Sequence, residues 1–277
     1  MASMILGLVS MQKNRGPWLL EWFAFHYMIG FRKFYFYAHQ CTDNTAEIVL
    51  KLKKRLDITA IGLTDSQDRL QLMAFQHACD NYMNEVDWMA FIDGDEFLFP
   101  TKANTMQEAL WPYNFLPVSA VGAYNVNFGS AGHLTEPPGL ITENYRMRAD
   151  INSFMAHRRV KSLVKGRQKV AASNCSNVFV TPQGTVDEQM RPVDWGYLPQ
   201  YEPSYEQFRF NHYVCQSREF YDTFKRFSGA ADAGHEVERR EEWWTNFDTN
   251  QIADDSMVRF QTQLRATIAE LAAAMEA

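Results

Sequence analysis

An apolar run, Trp88-Met89-Ala90-Phe91-Ile92, leads without a spacer into Asp93-Gly94-Asp95-Glu96. Carboxylates crowded in this way repel one another, and partial burial at a strand end desolvates them as well. A divalent cation removes both costs. Oxygen-rich ligand sets select magnesium or manganese over zinc, and such ions usually bridge a few carboxylates and a diphosphate. Gly94 reads as a turn residue that lets the two aspartates diverge. The competing reading is an Asp-Gly turn with a solvated acidic face, and the motif's surroundings must decide between the two.

Those surroundings alternate strand and helix signals. Met4 to Ser10 is a short apolar run, as expected of a strand buried on both faces. Pro17 suits a first helical turn, Leu19, Trp22, Phe23, His26 and Ile29 follow at helical spacing, and Gly30 is a stop signal. Lys33 to Ala38 is an aromatic strand. Asn44 with Glu47 resembles a capping box ahead of a helix carrying Ile48, Val49, Leu52 and Leu56. Ile58 to Leu63 predicts a third strand, Leu70 to Ala78 a third helix, and Trp88 to Ile92 a fourth strand. Alternation of this kind gives an α/β fold with a mostly parallel sheet and helices on both faces. Ligands in such sheets bind beyond the carboxyl ends of the strands. Polar residues gather at those ends: Ser10 to Asn14, His39 to Asp43, Asp65, and Asp93 to Glu96.

The second half is less periodic. Val118 to Phe128, Val160 to Val164, Asn177 to Val180 and Phe208 to Val214 predict strands, and Glu136-Pro137-Pro138-Gly139 predicts a turn or loop. A helix is expected from about Ser217 to Phe227. Ala230 to Glu242 reads as a charged, mobile loop. Met257, Phe260, Leu264, Ile268, Leu271 and Met275 line one face of a C-terminal helix.

Composition narrows the function classes. The chain has 277 residues, 46% hydrophobic and 22% charged, so it can bury a core without disulfide staples. A formal net charge of -6 argues against a nucleic-acid partner. Cys41, Cys79, Cys175 and Cys215 form no CxxC pair and read as free thiols in a reducing compartment. No apolar run reaches the roughly 18 residues of a membrane span, and the N-terminus lacks a signal pattern. A cytoplasmic location is expected, with peripheral membrane contact left open. Aromatics are rich at 14%; core filling explains most of them, and a surplus would also suit stacking on sugar C–H faces.

The chain resembles the glycosyltransferases of the GT-A fold, specifically glycosyltransferase family 92 and its bacterial relatives. The likeness spans roughly residues 4 to 228 and rests on the order of several short segments. They are Trp18-Leu19-Leu20-Glu21-Trp22 with His26 and Gly30, Phe34-Tyr35-Phe36-Tyr37 with Thr42-Asp43-Asn44-Thr45, and Trp88 through Leu98. Phe128-Gly129-Ser130-Ala131-Gly132-His133 and Lys161-Ser162-Leu163-Val164 follow, then Asn211-His212-Tyr213 with Ser217, Glu219-Phe220 and Lys225. The resemblance implies one GT-A (Rossmann-like) domain over 1–277. Its parts would be a nucleotide-binding half (1–100), a smaller mixed acceptor half (101–228), and a loop with C-terminal helix (229–277). It also implies that Asp93 contacts the donor ribose or shares a manganese or magnesium ion, that Asp95 binds that ion, and that His212 completes its ligands. Ser10, Asn14, His39 and Asp65 would line the nucleotide pocket, and Lys161 would pair with a phosphate. Three departures concern nucleotide and acceptor preference: Arg15 and His39 stand where acids are usual, and Asn125 where a tryptophan is expected.

The implied reaction is metal-dependent transfer of a hexose, with galactose from UDP as the family-led guess, to a hydroxyl of a glycan or glycolipid. Inversion by single displacement requires a carboxylate base for the acceptor hydroxyl. Asp187 and Glu188 are the candidates, with Asp194 and Glu136 as alternatives; each also reads as a solvated loop acid. His133, Trp195 and Tyr197 are candidates for the acceptor pocket, and Trp243 and Trp244 for a lid. A nucleotidyltransferase acting on sugar phosphates would want a Gly-rich phosphate loop, and Met11 to Gly16 carries a single glycine. A non-catalytic carbohydrate-binding relative would have shed Asp93, Asp95 or His212. Gly94-Asp95-Glu96-Phe97 matches part of a diguanylate cyclase signature, but the second glycine needed there is Asp93.

Overall fold

The computed structural model describes residues 4–65, 67–152, 154–173, 178–228 and 237–276. The first hundred residues build the expected alternation. Strand β1 (Leu6–Gln12) leads to helix α1 (Gly16–Met28), β2 (Phe31–His39), α2 (Thr45–Leu52), β3 (Asp57–Leu63), α3 (Leu70–Tyr82) and β4 (Trp88–Phe91). β2 pairs with one edge of β1 and β4 with the other, all parallel, with β3 outside β2. The period of two along β2 sorts its side chains between two cores. Phe34 and Phe36 pack with Trp22 and Phe23 of α1 on one face; Tyr35 and Tyr37 pack with Phe75 and Cys79 of α3 on the other.

The sheet continues with strands from the second half. They are β5 (Glu96–Pro100), β6 (Ala120–Asn127), β7 (Val160–Lys165), β8 (Thr185–Asp187) and β9 (Phe208–His212). Nine strands form one sheet in the order β3-β2-β1-β4-β7-β6-β9-β5, with β8 also paired to β6. β7 runs antiparallel between β4 and β6, whereas β8 and β9 run parallel to β6. The first hundred residues and the second half therefore share one mixed, mostly parallel sheet. Helix α4 (Gln261–Glu276) buries Leu264 and Leu271 against the core around α1.

Several local expectations are revised. β5 was not foreseen, because the DGDE turn splits one long apolar run and its second half read as part of the site. Asn44 makes no side-chain cap on α2; Asp43 caps in its place, accepting from the backbone N–H groups of Thr45 (3.0 Å) and Gly16 (3.0 Å). The helix expected from Ser217 to Phe227 is a short turn, Arg218–Phe220, that widens into a π-helical turn, Tyr221–Lys225. Of the charged stretch from Ala230 to Glu242, residues up to 236 lie outside the described part, as do Cys175 and Asn177. Its remainder leads into a helix, Glu241–Phe247, on which Trp243 stacks against Tyr221 at 5.7 Å. Cys79 and Cys215 are buried free thiols, while Cys41 is only half-buried. No helix among the described residues is long and apolar enough to cross a membrane.

Phe23 is fully buried, 5.2 Å from both Trp22 and Phe34 and 5.7 Å from Phe36. It thus ties α1 to the sheet directly behind the β1 edge. Phe23→Ala is expected to cost about 3–5 kcal/mol of stability, read from the urea midpoint at unchanged m-value.

Candidate active site

The carboxyl edges of β1, β2, β3 and β4 face the same way, and the Asp93–Glu96 turn leaves β4 at that edge. β5 then runs antiparallel to β9, in a register that sets His212 opposite Glu96. This pairing brings a histidine from far along the chain to the turn. The Tyr213 N–H donates to the Asp95 carbonyl (2.9 Å), His212 Nε2 stands 3.5 Å from Asp95 Oδ1, and its Nδ1 stands 4.0 Å from Glu96 Oε1.

Two lysines neutralise the carboxylates of the turn, Lys161 shared by Asp93 and Glu96 and Lys225 on Asp95. Lys161, the second residue of β7, donates to Asp93 Oδ2 (2.8 Å) and lies 3.1 Å from Glu96 Oε2. Gln71 of α3 donates to Asp93 Oδ1 (2.6 Å). Lys225, at the end of the π turn, donates to Asp95 Oδ2 (2.6 Å). Arg15 stacks 4.4 Å over Trp18 and donates to the Gly94 carbonyl (3.1 Å). Burial alone would raise the Asp95 carboxyl, but Lys225 and His212 beside it hold it well below the usual carboxylate range. Glu96 goes the other way: burial lifts it, Asp93 and Asp95 add to the rise, and Lys161 only partly offsets it. Burial would lower the Lys161 ammonium, yet Asp93 and Glu96 together raise it above its ordinary value.

Asp95 and His212 are the pair that would share one cation. Their facing atoms stand 3.5 Å apart, somewhat wider than the roughly 3.0 Å between adjacent ligands of an octahedral ion with bonds of about 2.1 Å, so a small inward shift would let both reach it. Among the described residues no cluster of three His, Cys, Asp or Glu side chains is preformed, so the protein offers two ligands and a phosphate would have to complete the set. Asp93 is held by Gln71 and Lys161.

Other expected residues are placed differently. Asp187 is fully buried: Tyr124 and Arg191 donate to Oδ2, and the backbone N–H groups of Gln189 and Arg191 donate to Oδ1. Glu188 accepts from Ser204 and from the backbone of Glu206, Gln207 and Phe208, at the start of β9. Four residues of strand, roughly 13 Å, separate that point from His212. Both acids lock turns, and neither has the freedom a base requires. Of the alternatives, Glu136 accepts from Trp18, Tyr145 and Ser217. Asp194 is exposed, with no hydrogen bond or ion pair to its side chain among the described residues, on the loop that carries Trp195 and Tyr197. That loop adjoins the start of β7 through the Val160 N–H, which donates to the Gly196 carbonyl (3.0 Å). His133 Nε2 lies 3.3 Å from the Asn144 carbonyl, its ring packs against Tyr145, and its own carbonyl accepts from the Arg218 N–H.

At the end of β1, Ser10 is buried and accepts from Gln12, so Gln12, which sequence reasoning passed over, is the polar side chain at that strand's end. Asn14 ties its loop to Thr42 and Asp43. His39 and Asp65 meet at the ends of β2 and β3, where His39 Nε2 lies 3.2 Å from the Asp65 carbonyl. Lys161 is occupied by carboxylates and not by open space for a phosphate. Gln71 and Lys225 were also missed as site residues; Lys225 had stood only as part of a motif, and nothing in local spacing marks Gln71.

A family model, Glycosyltransferase family 92, matches residues 9–252. The chain belongs to glycosyltransferase family 92. A glycosyltransferase family 92 protein of Oryza sativa subsp. japonica is 26% identical over 223 residues, covering 79% of this chain and 34% of the rice protein. The chain thus spans about a third of that relative. Among solved structures, Staphylococcus aureus TarS 1-349 overlaps 58% of this chain and 47% of its own, at 14% identity and a TM-score of 0.36. Mannosyl-3-phosphoglycerate synthase from Rubrobacter xylanophilus overlaps 58% and 53%, at 13% identity and 0.32. In this family 92 chain, the parallel β3-β2-β1-β4 block is followed by an acidic turn and mixed strands.

Gly94 is needed for space. Its φ is not positive, but a Cβ there would meet Gln12 Oε1 at 2.5 Å and Cδ at 2.6 Å, in a site where Gln12 is buried. Gly94→Ala is expected to lose about 1–3 kcal/mol. Adding Gln12→Ala should recover most of that loss in thermal melts, and a double mutant no better than the single would remove this explanation.

Proposed function

We propose that this domain transfers a hexose from a nucleotide-sugar donor, a UDP-hexose, to a hydroxyl of a glycan or glycolipid, with inversion and with manganese or magnesium. The observation that carries the reading is the Asp95–His212 pair, 3.5 Å apart at the carboxyl edge of a family 92 sheet. Asp95 and His212 would hold the ion, whose chemistry is to offset the charge that grows on the departing diphosphate. Such stabilisation is greater in the transition state than in the ground state and therefore accelerates transfer.

The chain's own residues divide the remaining work. Asp93, oriented by Gln71 and Lys161, faces the donor ribose or shares the ion. Gln12, Asn14, His39 and Asp65 border the pocket for base and ribose at the ends of β1, β2 and β3. Asp194 is the base we favour, because it is the one candidate acid whose oxygens are not committed to the fold. It takes the acceptor proton while Trp195 and Tyr197 offer ring faces to the acceptor sugar.

The test is release of nucleoside diphosphate from a panel of nucleotide sugars with manganese, with UDP binding measured in parallel. Chelation of the metal and Asp95→Ala should each reduce turnover by at least about a hundredfold. Absence of release with every donor, together with unchanged UDP binding in Asp95→Ala, would sink the reading. Asp194→Asn should lower kcat by about 10²–10⁴-fold while leaving UDP affinity within about twofold. If it lowers UDP affinity instead, Asp194 belongs to the donor side and the base assignment is wrong.

A further inference from the structure

Lys225 and the proposed cation site share one carboxylate, Asp95. Nζ of Lys225 lies 2.6 Å from Asp95 Oδ2, while His212 addresses Oδ1 of the same group. Both Lys225 and Asp95 are largely buried, at 14% and 10% side-chain exposure, so solvent screens the pair little. A buried carboxylate left without a counter-charge is costly, and this lysine meets that need while no metal is bound.

The lysine's backbone is fixed by hydrogen bonds to its own carbonyl and to the turn that carries it. Its carbonyl accepts from Arg239 (2.9 Å) and Ser228 (3.0 Å). The π turn beneath it is tied down by Tyr221, whose hydroxyl donates to the carbonyls of Arg239 and Arg240, and by Arg218, which bridges Asp222 and Glu241. π turns of this kind commonly occur at functional sites. A lysine ammonium on a four-carbon stem changes partners readily from a fixed root.

We propose that Lys225 is an exchangeable counter-cation. It holds Asp95 before the donor arrives, yields that carboxylate to the divalent ion, and moves to the donor diphosphate beside it. This rests on the metal-dependent reading above. The exchange makes metal and nucleotide binding mutually reinforcing, since the diphosphate provides the displaced ammonium with a new partner. Such coupling is reciprocal: each ligand raises the affinity for the other by the same factor. A lysine that only supported the fold would have neither effect.

The experiment titrates manganese into the full chain, following free Mn2+ by electron paramagnetic resonance, with and without UDP. Lys225→Met should bind manganese about tenfold or more tightly than the parent without UDP, because its competitor is gone. The factor by which UDP raises manganese affinity should shrink by a similar amount, and the rate of UDP release from the donor should fall. Lys225→Gln serves in the same way if Lys225→Met does not fold. Unchanged or weaker manganese binding in a folded variant overturns the exchange, as does an undiminished UDP effect. Asp95→Asn separates the two ideas. If the parent binds manganese and Asp95→Asn does not, the metal site stands and the lysine variants alone decide the exchange. If the parent binds no manganese even with UDP, the metal reading fails and the exchange falls with it.

Discussion

Three carboxylates at the end of β4 must be neutralised for the sheet to close around them, and much of the architecture meets that demand. Lys161 comes from β7, Lys225 from the π turn, Gln71 from α3, and Arg15 from the start of α1. Strand order follows the same need. β7 lies directly beside β4, so that Lys161 reaches Asp93 and Glu96. β9 and β5 pair so that His212 stands opposite Glu96. The acidic turn is thereby poised without any ion, with a net charge near neutral in place of three uncompensated negatives. An incoming divalent cation and diphosphate of opposite charge would then enter without upsetting that balance.

The two halves of the sheet are held together in different ways. On the β1 side, Trp22, Phe23, Phe34 and Phe36 pack in one apolar cluster. Gly94 and Gln12 are fitted so closely there that one methyl group would disturb them. In the second half the sheet is held by polar locks. Asp187 fastens its turn to Tyr124 and Arg191, and Glu188 gathers three backbone N–H groups at the start of β9. Buried acids in such positions look catalytic in a sequence because fold-stabilising and reactive carboxylates share one chemistry. Only their partners tell them apart.

Glu21 gives the same lesson from the first half. It lies within a segment that resembles the family's, yet it is a buried acid on α1 that accepts from the backbone of Ile141 and Thr142 and from the Thr142 hydroxyl. Burial pushes its carboxyl up to about 7, and its role is to join α1 to the segment after β6. Motif similarity here marks a structural joint as readily as a reacting group.

The alternation of β1 through β4, and the arrival of Asp93 and Asp95 at the carboxyl edge of the sheet, were legible in the sequence alone. They depend on local periodicity and on the rule that parallel strands end on one side of the sheet. The family was legible for a related reason, since short segments keep their order along the chain. Resemblance suggested the partnership of Asp95 with His212, but local pattern could not supply it, because it depends on β5, a strand disguised by the turn that precedes it. The lysines on the two aspartates, the tight fit of Gly94 on Gln12, and the locked state of Asp187 and Glu188 were decided only in three dimensions. Each is a contact between distant segments, set by strand register and sheet order, and no local spacing encodes it. The acidic turn was visible from the start; tertiary structure decided what stands around it.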